Sequence, residues 1–214
     1  MMEQNTLKTG TTTVGLKCKD GIVLAADRRA TAGYLIANKK AEKVFGITDK
    51  IALTISGMVS DAQLLTKLIK AELKLKVMRT DREVTVKEAA NLLAGLTYGN
   101  VRRPSMIPGI AHFLMGGTDT DGYHLYDLFA DGSVTDIDDF VASGSGSVIA
   151  YGVLETLYKD GLSVQEGVDL AIKSVNAAMQ RDIASGQGID VLTITKDGVK
   201  KVFEQQLDTT IKVK

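Results

Sequence analysis

The order in which hydrophobic periodicities follow one another constrains this chain more than any other feature. Two strand-like runs open it: Thr11–Lys19 is rich in Thr and Val, and Gly21–Asp27 (GIVLAAD) is short and apolar. Lys19-Asp20-Gly21 supplies the hairpin turn between them. Further strands are expected over Val44–Ile47 and Ile51–Gly57. Ser60-x-x-Gln63, Thr85-x-x-Glu88 and Ser163-x-x-Glu166 each have the form of a capping box before an apolar-periodic run. The first helix repeats Leu64, Leu65, Leu68, Ile69 and Leu73. The second repeats Ala89, Leu92, Leu93 and Leu96 and stops before Pro104, and the last repeats Val164, Val168, Ala171, Val175 and Met179. Strands are expected at Ile110–Gly116 and Tyr123–Phe129, joined by a loop over residues 117–122, and at Ser133–Ile137 after the Asp131-Gly132 turn. A helix over Ser147–Tyr158 precedes the last one, and strands Asp190–Thr195 and Val199–Phe203 close the pattern around Asp197-Gly198.

Strands, two helices, strands, two helices, strands: this is not the strand–helix alternation of a doubly wound parallel sheet. Hairpin turns dominate, so the sheets should be mostly antiparallel. Two stacked sheets with a helix pair on each outer face would bury every stripe. The expectation is therefore an α+β, four-layer αββα sandwich. With Pro only at 104 and 108 and no Pro/Gly/Ser-rich linker, one domain suffices.

Composition narrows the chemistry. Lys+Arg and Asp+Glu are each 26, so net charge is zero, and there is no Trp; neither a basic nucleic-acid surface nor a base-stacking platform is indicated. No apolar run reaches the length of a membrane span, and the lead-in MMEQNTLKTG lacks the apolar core of a secretory signal. It reads as a removable segment over residues 1–10. Cys18 is the one cysteine, which suits a reducing compartment, and is expected to be a small buried thiol. His112 and His124, the two histidines, lie in strand-like runs without a Gly-x-Ser-x-Gly elbow or a metal-ligand spacing and read as structural. The acidic loop at Asp119 fails the calcium-loop template because Ala130 stands where the closing carboxylate belongs, and Leu16-Lys17 spoils a phosphate loop begun by Gly10 and Gly15.

What remains is an enzyme without His, Cys or metal, or no enzyme. A threonine at a free chain terminus carries its own base, because an α-amine of pKa about 7.7–8.0 lies beside its hydroxyl. Gly10-Thr11 suits such an exposure, since glycine does not hinder attack at its carbonyl. On propensity alone, Thr11-Thr12-Thr13 is a strand start.

From Thr11 onward the chain resembles the proteasome β-type subunits of the N-terminal-nucleophile hydrolase superfamily. The resemblance rests on Gly10-Thr11-Thr12-Thr13-Val14-Gly15, Ala26-Asp27-Arg28-Arg29-Ala30-Thr31, Lys43-Val44-Phe45 and Ser56-Gly57 with Asp61-Ala62-Gln63. It continues through Gly144-Ser145-Gly146-Ser147, Tyr151-Gly152-Val153-Leu154-Glu155 and Arg181-Asp182-Ile183-Ala184-Ser185-Gly186, in that order. It implies autocleavage between Gly10 and Thr11, leaving an N-terminal-nucleophile domain over residues 11–214. Thr11 would be the nucleophile, Lys43 would lower the proton affinity of its hydroxyl and Asp27 would fix Lys43. Ser145, Asp182 and Ser185 would hold the terminal amine, and the Gly57 N–H would meet the oxyanion. Thr31 and Gly57 would pair with substrate, above a pocket of Ala30, Ala41, Ile55 and Val59 that favours cleavage after hydrophobic residues. The resemblance also implies homo-heptameric β rings stacked with α-subunit rings, a regulatory ATPase acting through the α rings, unfolded polypeptide substrates, a cytoplasmic location and no cofactor. A structural ring subunit that does not cut, and a small-amide hydrolase of the same superfamily, remain open, as does Thr12 rather than Thr11 as the terminus. Gly186-Gln187-Gly188 departs from the adjacent glycines of many relatives.

Overall fold

The computed structural model describes residues 10–208; of the expected leader, residues 1–9 lie outside the described residues. In chain order the elements are β1 (Thr13–Cys18), β2 (Gly21–Asp27), β3 (Ala30–Ala32), β4 (Leu35–Asn38), β5 (Val44–Gly46) and β6 (Ile51–Gly57), followed by α1 (Val59–Thr80) and α2 (Val86–Val101). Then come β7 (Ala111–Asp119), β8 (Gly122–Leu128), β9 (Val134–Asp136) and β10 (Phe140–Ser143), α3 (Ser147–Leu157) and α4 (Val164–Met179), and finally β11 (Gly188–Thr195) and β12 (Gly198–Gln206). One sheet runs β10-β1-β2-β11-β12 and the other β5-β6-β7-β8-β9, with β3-β4 as a separate hairpin. The pairings are antiparallel.

Three hydrophobic layers stack these elements. Leu65, Ile69 and Leu73 of α1 and Ala89 and Leu93 of α2 close on Ile51, Leu53, Phe113 and Met115 of the second sheet. Ile22, Leu24, Leu114, Leu125 and Ile194 fill the space between the sheets. Val168, Ala171 and Val175 of α4 and Leu154 of α3 cover Val14, Leu16, Val23 and Val191. The result is the expected helices–sheet–sheet–helices order. β2 is covered on both faces and every one of its residues is buried, which accounts for its unbroken apolar run.

Three differences from the sequence expectations have local causes. The capping boxes at Thr85 and Ser163 form in full, but the one at Ser60 does not. α1 begins at Val59 with Met58 as its N-cap and no side-chain cap bond. Met58 N–H donates to Ile110 O at 2.8 Å, so pairing with the neighbouring strand sets the start of the helix, and Leu64 and Leu68 turn outward instead of joining the core. The expected loop over residues 117–122 shrinks to a two-residue turn, because β7 runs on to Asp119. Asp119 accepts from Asp121 N and Val86 N at 2.9 Å each, bracing that turn against α2. β3, β4 and β10 are strands the periodicity did not reveal. Tyr34 and Leu35 at the β3–β4 turn are exposed, and β10 is too short to show a period.

Thr85→Ala and Ser163→Ala should each lower stability by about 1 kcal/mol in urea denaturation. Ser60→Ala should change it by less than about 0.5 kcal/mol.

Candidate active site

The β1–β2 hairpin sets the geometry around Thr11. Its register places Thr13 opposite Ala26, and Asp27 N–H donates to Thr12 O at 3.1 Å. The end of β2 therefore lies beside the residues that lead into β1. Asp27 is fully buried, and its carboxylate is saturated with donors. Oδ1 accepts from Thr12 N at 2.9 Å and Lys43 Nζ at 2.8 Å, and Oδ2 accepts from Arg29 N and Gly186 N at 2.9 Å each. Lys43 reaches in from the other sheet, where its carbonyl accepts from Ile55 N at 2.9 Å. Its ammonium also donates to Thr11 Oγ1 at 2.9 Å. Burial pushes the Lys43 pKa below its ordinary 10.5, against the pull of the Asp27 carboxylate.

Thr11 Oγ1 donates in turn to Gly10 O at 2.7 Å, so the hydroxyl lies against the carbonyl of the peptide bond before it. Gly10 N–H donates to Thr31 Oγ1 at 3.2 Å. On the other side, Thr11 N–H donates to Ser145 Oγ at 3.2 Å, while Ser145 Oγ and Ser185 Oγ both donate to Asp182 Oδ2 at 2.6 Å. Thr12 Oγ1 lies 2.7 Å from Ser185 Oγ. The structure thus brings Thr11, Asp27 and Lys43 into one hydrogen-bonded chain. Ser145, Asp182 and Ser185 form a second, which meets Thr11 at its nitrogen.

Thr11 also opens onto a cavity of about 560 Å³ whose lining includes Ala30, Thr31, Ala41, Ile55, Gly57 and Val59. All the residues expected to bind substrate are there. Lys40 and Glu42 line it as well, which the sequence reading did not include. Among the described residues no cluster of His, Cys, Asp or Glu could hold a metal ion. Cys18 is buried, and its thiol is pushed up to about 12 by burial and the nearby Asp20 and Glu166 charges.

Two contributions were not anticipated. Thr12 was expected as a strand residue or as the alternative terminus, and its hydroxyl joins the Ser185 side of the site. Gln187 adopts φ 66°, a left-handed conformation uncommon for a side chain of its size. Its side-chain amide oxygen Oε1 accepts from Arg29 Nε at 2.7 Å, and Arg29 Nη1 donates to Ile183 O at 2.7 Å. The unusual Gly186-Gln187-Gly188 stretch thus clamps the loop that carries Asp182 and Ser185.

A family model described as Proteasome subunit matches residues 7–194. The chain belongs to the proteasome subunit family. It is 44% identical over 205 residues to a protein of Archaeoglobus profundus described as Proteasome subunit beta, covering 96% of this chain and 94% of that one. A Methanothermobacter thermautotrophicus protein of the same description is 45% identical over 212 residues, covering 99% of this chain and 98% of the relative. A third, from Ferroglobus placidus, is 45% identical over 202 residues and covers 94% of each. Among the described residues of this proteasome subunit, no helix is long and apolar enough to cross a membrane.

Asp27→Asn should destabilise the subunit by about 3–5 kcal/mol in chemical denaturation, because it leaves the Lys43 ammonium buried without its counter-charge and offers too few acceptors for four donors.

Proposed function

We propose that this β-type proteasome subunit is an N-terminal threonine endopeptidase that activates itself by cleaving Gly10–Thr11. The contact that carries the reading is Thr11 Oγ1, 2.7 Å from Gly10 O and 2.9 Å from Lys43 Nζ. In the uncut chain the hydroxyl oxygen attacks the Gly10 carbonyl carbon, the C–N bond breaks and an ester forms on Oγ1. The proton leaving the hydroxyl is balanced by one delivered to the departing Thr11 nitrogen. Water then hydrolyses the ester, releasing the leader with a Gly10 carboxylate and leaving Thr11 with a free amine.

Peptide substrates repeat the cycle. The Thr11 amine acts as base, directly or through a water, and the hydroxyl adds to the scissile carbonyl. The amine product leaves, and the acyl-enzyme ester is hydrolysed. The Lys43 charge, oriented by Asp27, favours the alkoxide form of Thr11. Ser145, Asp182 and Ser185 hold the new amine and pass its protons. Gly57 offers its backbone N–H to the developing oxyanion, and with Thr31 pairs the substrate as an added strand. The Gly10–Thr31 bond supports this placement, since Gly10 occupies the position a substrate residue would take. Ala30, Ala41, Ile55 and Val59 favour hydrophobic residues before the cut.

A proteasome subunit works within a proteasome complex. The proposal is that homo-heptameric rings of this chain stack with α-subunit rings in the cytoplasm, fed with unfolded polypeptide by an ATPase acting through the α rings.

Thr11→Ala should leave assembly intact and abolish both leader removal and peptidase activity, as read by N-terminal sequencing and fluorogenic peptide hydrolysis. Residual peptidase activity would reject the nucleophile. The pH profile of kcat/KM should be a bell. Its acid limb rises as the Thr11 amine deprotonates near pH 8. Its alkaline limb follows loss of the Lys43 charge and so falls below the ordinary lysine value of 10.5.

A further inference from the structure

A second chain of buried polar groups lies beside the site, and the proposed reaction does not use it. His112 of β7 bonds through Nε2 to Asp127 Oδ1 of β8 and through Nδ1 to Ser143 Oγ of β10 at 2.8 Å. Ser143 Oγ lies 2.9 Å from Ser56 Oγ of β6. Ser56, Ser143 and Asp127 are buried, and the imidazole stacks on Phe129 with ring centroids 4.6 Å apart. The order serine, histidine, aspartate is that of a hydrolytic triad, but Ser143 does not line the cavity that holds Thr11.

The bond directions follow from chemistry. A carboxylate only accepts, so His112 Nε2 carries the proton toward Asp127. In the neutral imidazole Nδ1 is then an acceptor, and the Ser143 hydroxyl donates to it. The Ser143 oxygen in turn accepts from the Ser56 hydroxyl. One histidine tautomer orders both serines.

Their places in the chain give that order a consequence. Ser56 and Ser143 belong to different sheets, and each directly precedes a glycine that turns the chain into the site. Gly57 has φ 95°, and a Cβ there would lie 2.5 Å from Ile110 O. Gly144 has φ 93°, and a Cβ there would lie 2.0 Å from Thr11 O. Gly57 lines the cavity, and Gly144 leads to Ser145, whose hydroxyl receives the Thr11 N–H. The Ser56–Ser143 bond therefore ties together the two strand ends that carry the backbone at Gly57 and the clamp at Thr11.

We propose that His112, oriented by Asp127, is a positioning residue that sets the spacing between the Gly57 and Gly144–Ser145 turns through the cross-sheet Ser56–Ser143 hydrogen bond. This rests on the Thr11 reading, in which alignment of those turns matters most at the transition state.

The test uses assembled, processed particles carrying Ser56→Ala, Ser143→Ala, both together, His112→Asn and His112→Leu. Each serine variant should lower kcat about tenfold with KM within about twofold, because a sub-ångström misplacement acts on the transition state more than on binding. The double variant should be no worse than either single one. His112→Asn, whose amide oxygen takes the place of Nδ1, should retain most of kcat, whereas His112→Leu should match Ser143→Ala. Unchanged kcat in Ser143→Ala, or additive losses in the double variant, would overturn the proposal. So would a melting temperature that falls while kcat holds, which marks a bond that only stabilises. A variant too unstable to assemble is replaced by Ser→Cys at the same position, judged by the same kcat criterion. Thr11→Ala, run alongside, keeps the two readings apart. If it abolishes activity while Ser143→Ala does nothing, only the positioning role of His112 fails; if it leaves activity, the Thr11 reading fails whatever the serines do.

Discussion

The Asp27–Lys43 pair organises the rest of the site. Two opposite charges are held out of water, where the desolvation of each would be prohibitive alone. The arrangement is tolerable because the carboxylate collects three backbone N–H groups besides the ammonium, each from a different stretch of chain. Those stretches are the lead into β1, the exit from β2 and the loop before β11. To satisfy one carboxylate the chain must bring all three together, and Lys43 adds the entrance to β5 from the opposite sheet. The ion pair therefore acts as a template for the local fold, and the Thr11 hydroxyl inherits its position from the ammonium.

The sandwich makes such a template possible. A single sheet would leave Lys43 on a solvated face, where its charge would be screened and its side chain free to move. Two sheets packed through Leu24, Leu114 and Leu125 exclude water next to the site and fix the distance that Lys43 must cross. The same closeness lets Ser56 on one sheet bond Ser143 on the other. Polar contacts cross the dry layer at its edge, beside the cavity, while its centre is aliphatic.

Much of this was legible in the residues. Long stripes such as Val168, Ala171 and Val175 named their elements correctly because burial of one helix face leaves a period that survives noise. Thr11, Asp27 and Lys43 could be singled out through a family resemblance, and the structure brings them within hydrogen-bonding distance. Periodicity alone would have left Thr11-Thr12-Thr13 as the start of a strand. What stayed hidden depended on tertiary neighbours. The start of α1 is set by Met58 pairing with Ile110 and not by Ser60, and no local pattern encodes that choice. His112 reads as an isolated polar residue in a strand until β8 and β10 are laid beside it and supply Asp127 and Ser143. Gln187 was visible as an oddity, but its meaning needed Arg29, far away in sequence.

The intact Gly10–Thr11 linkage, with Gly10 seated against Thr31, has an implication for quality control. Under the proposed chemistry the hydroxyl that cuts and the bond it first cuts belong to neighbouring residues, so each copy is its own first assay. A copy whose Lys43 is out of place, or whose two sheets are misaligned, cannot free its Thr11 amine and keeps Gly10 against Thr31. Faulty copies are thereby silenced without any outside inspector.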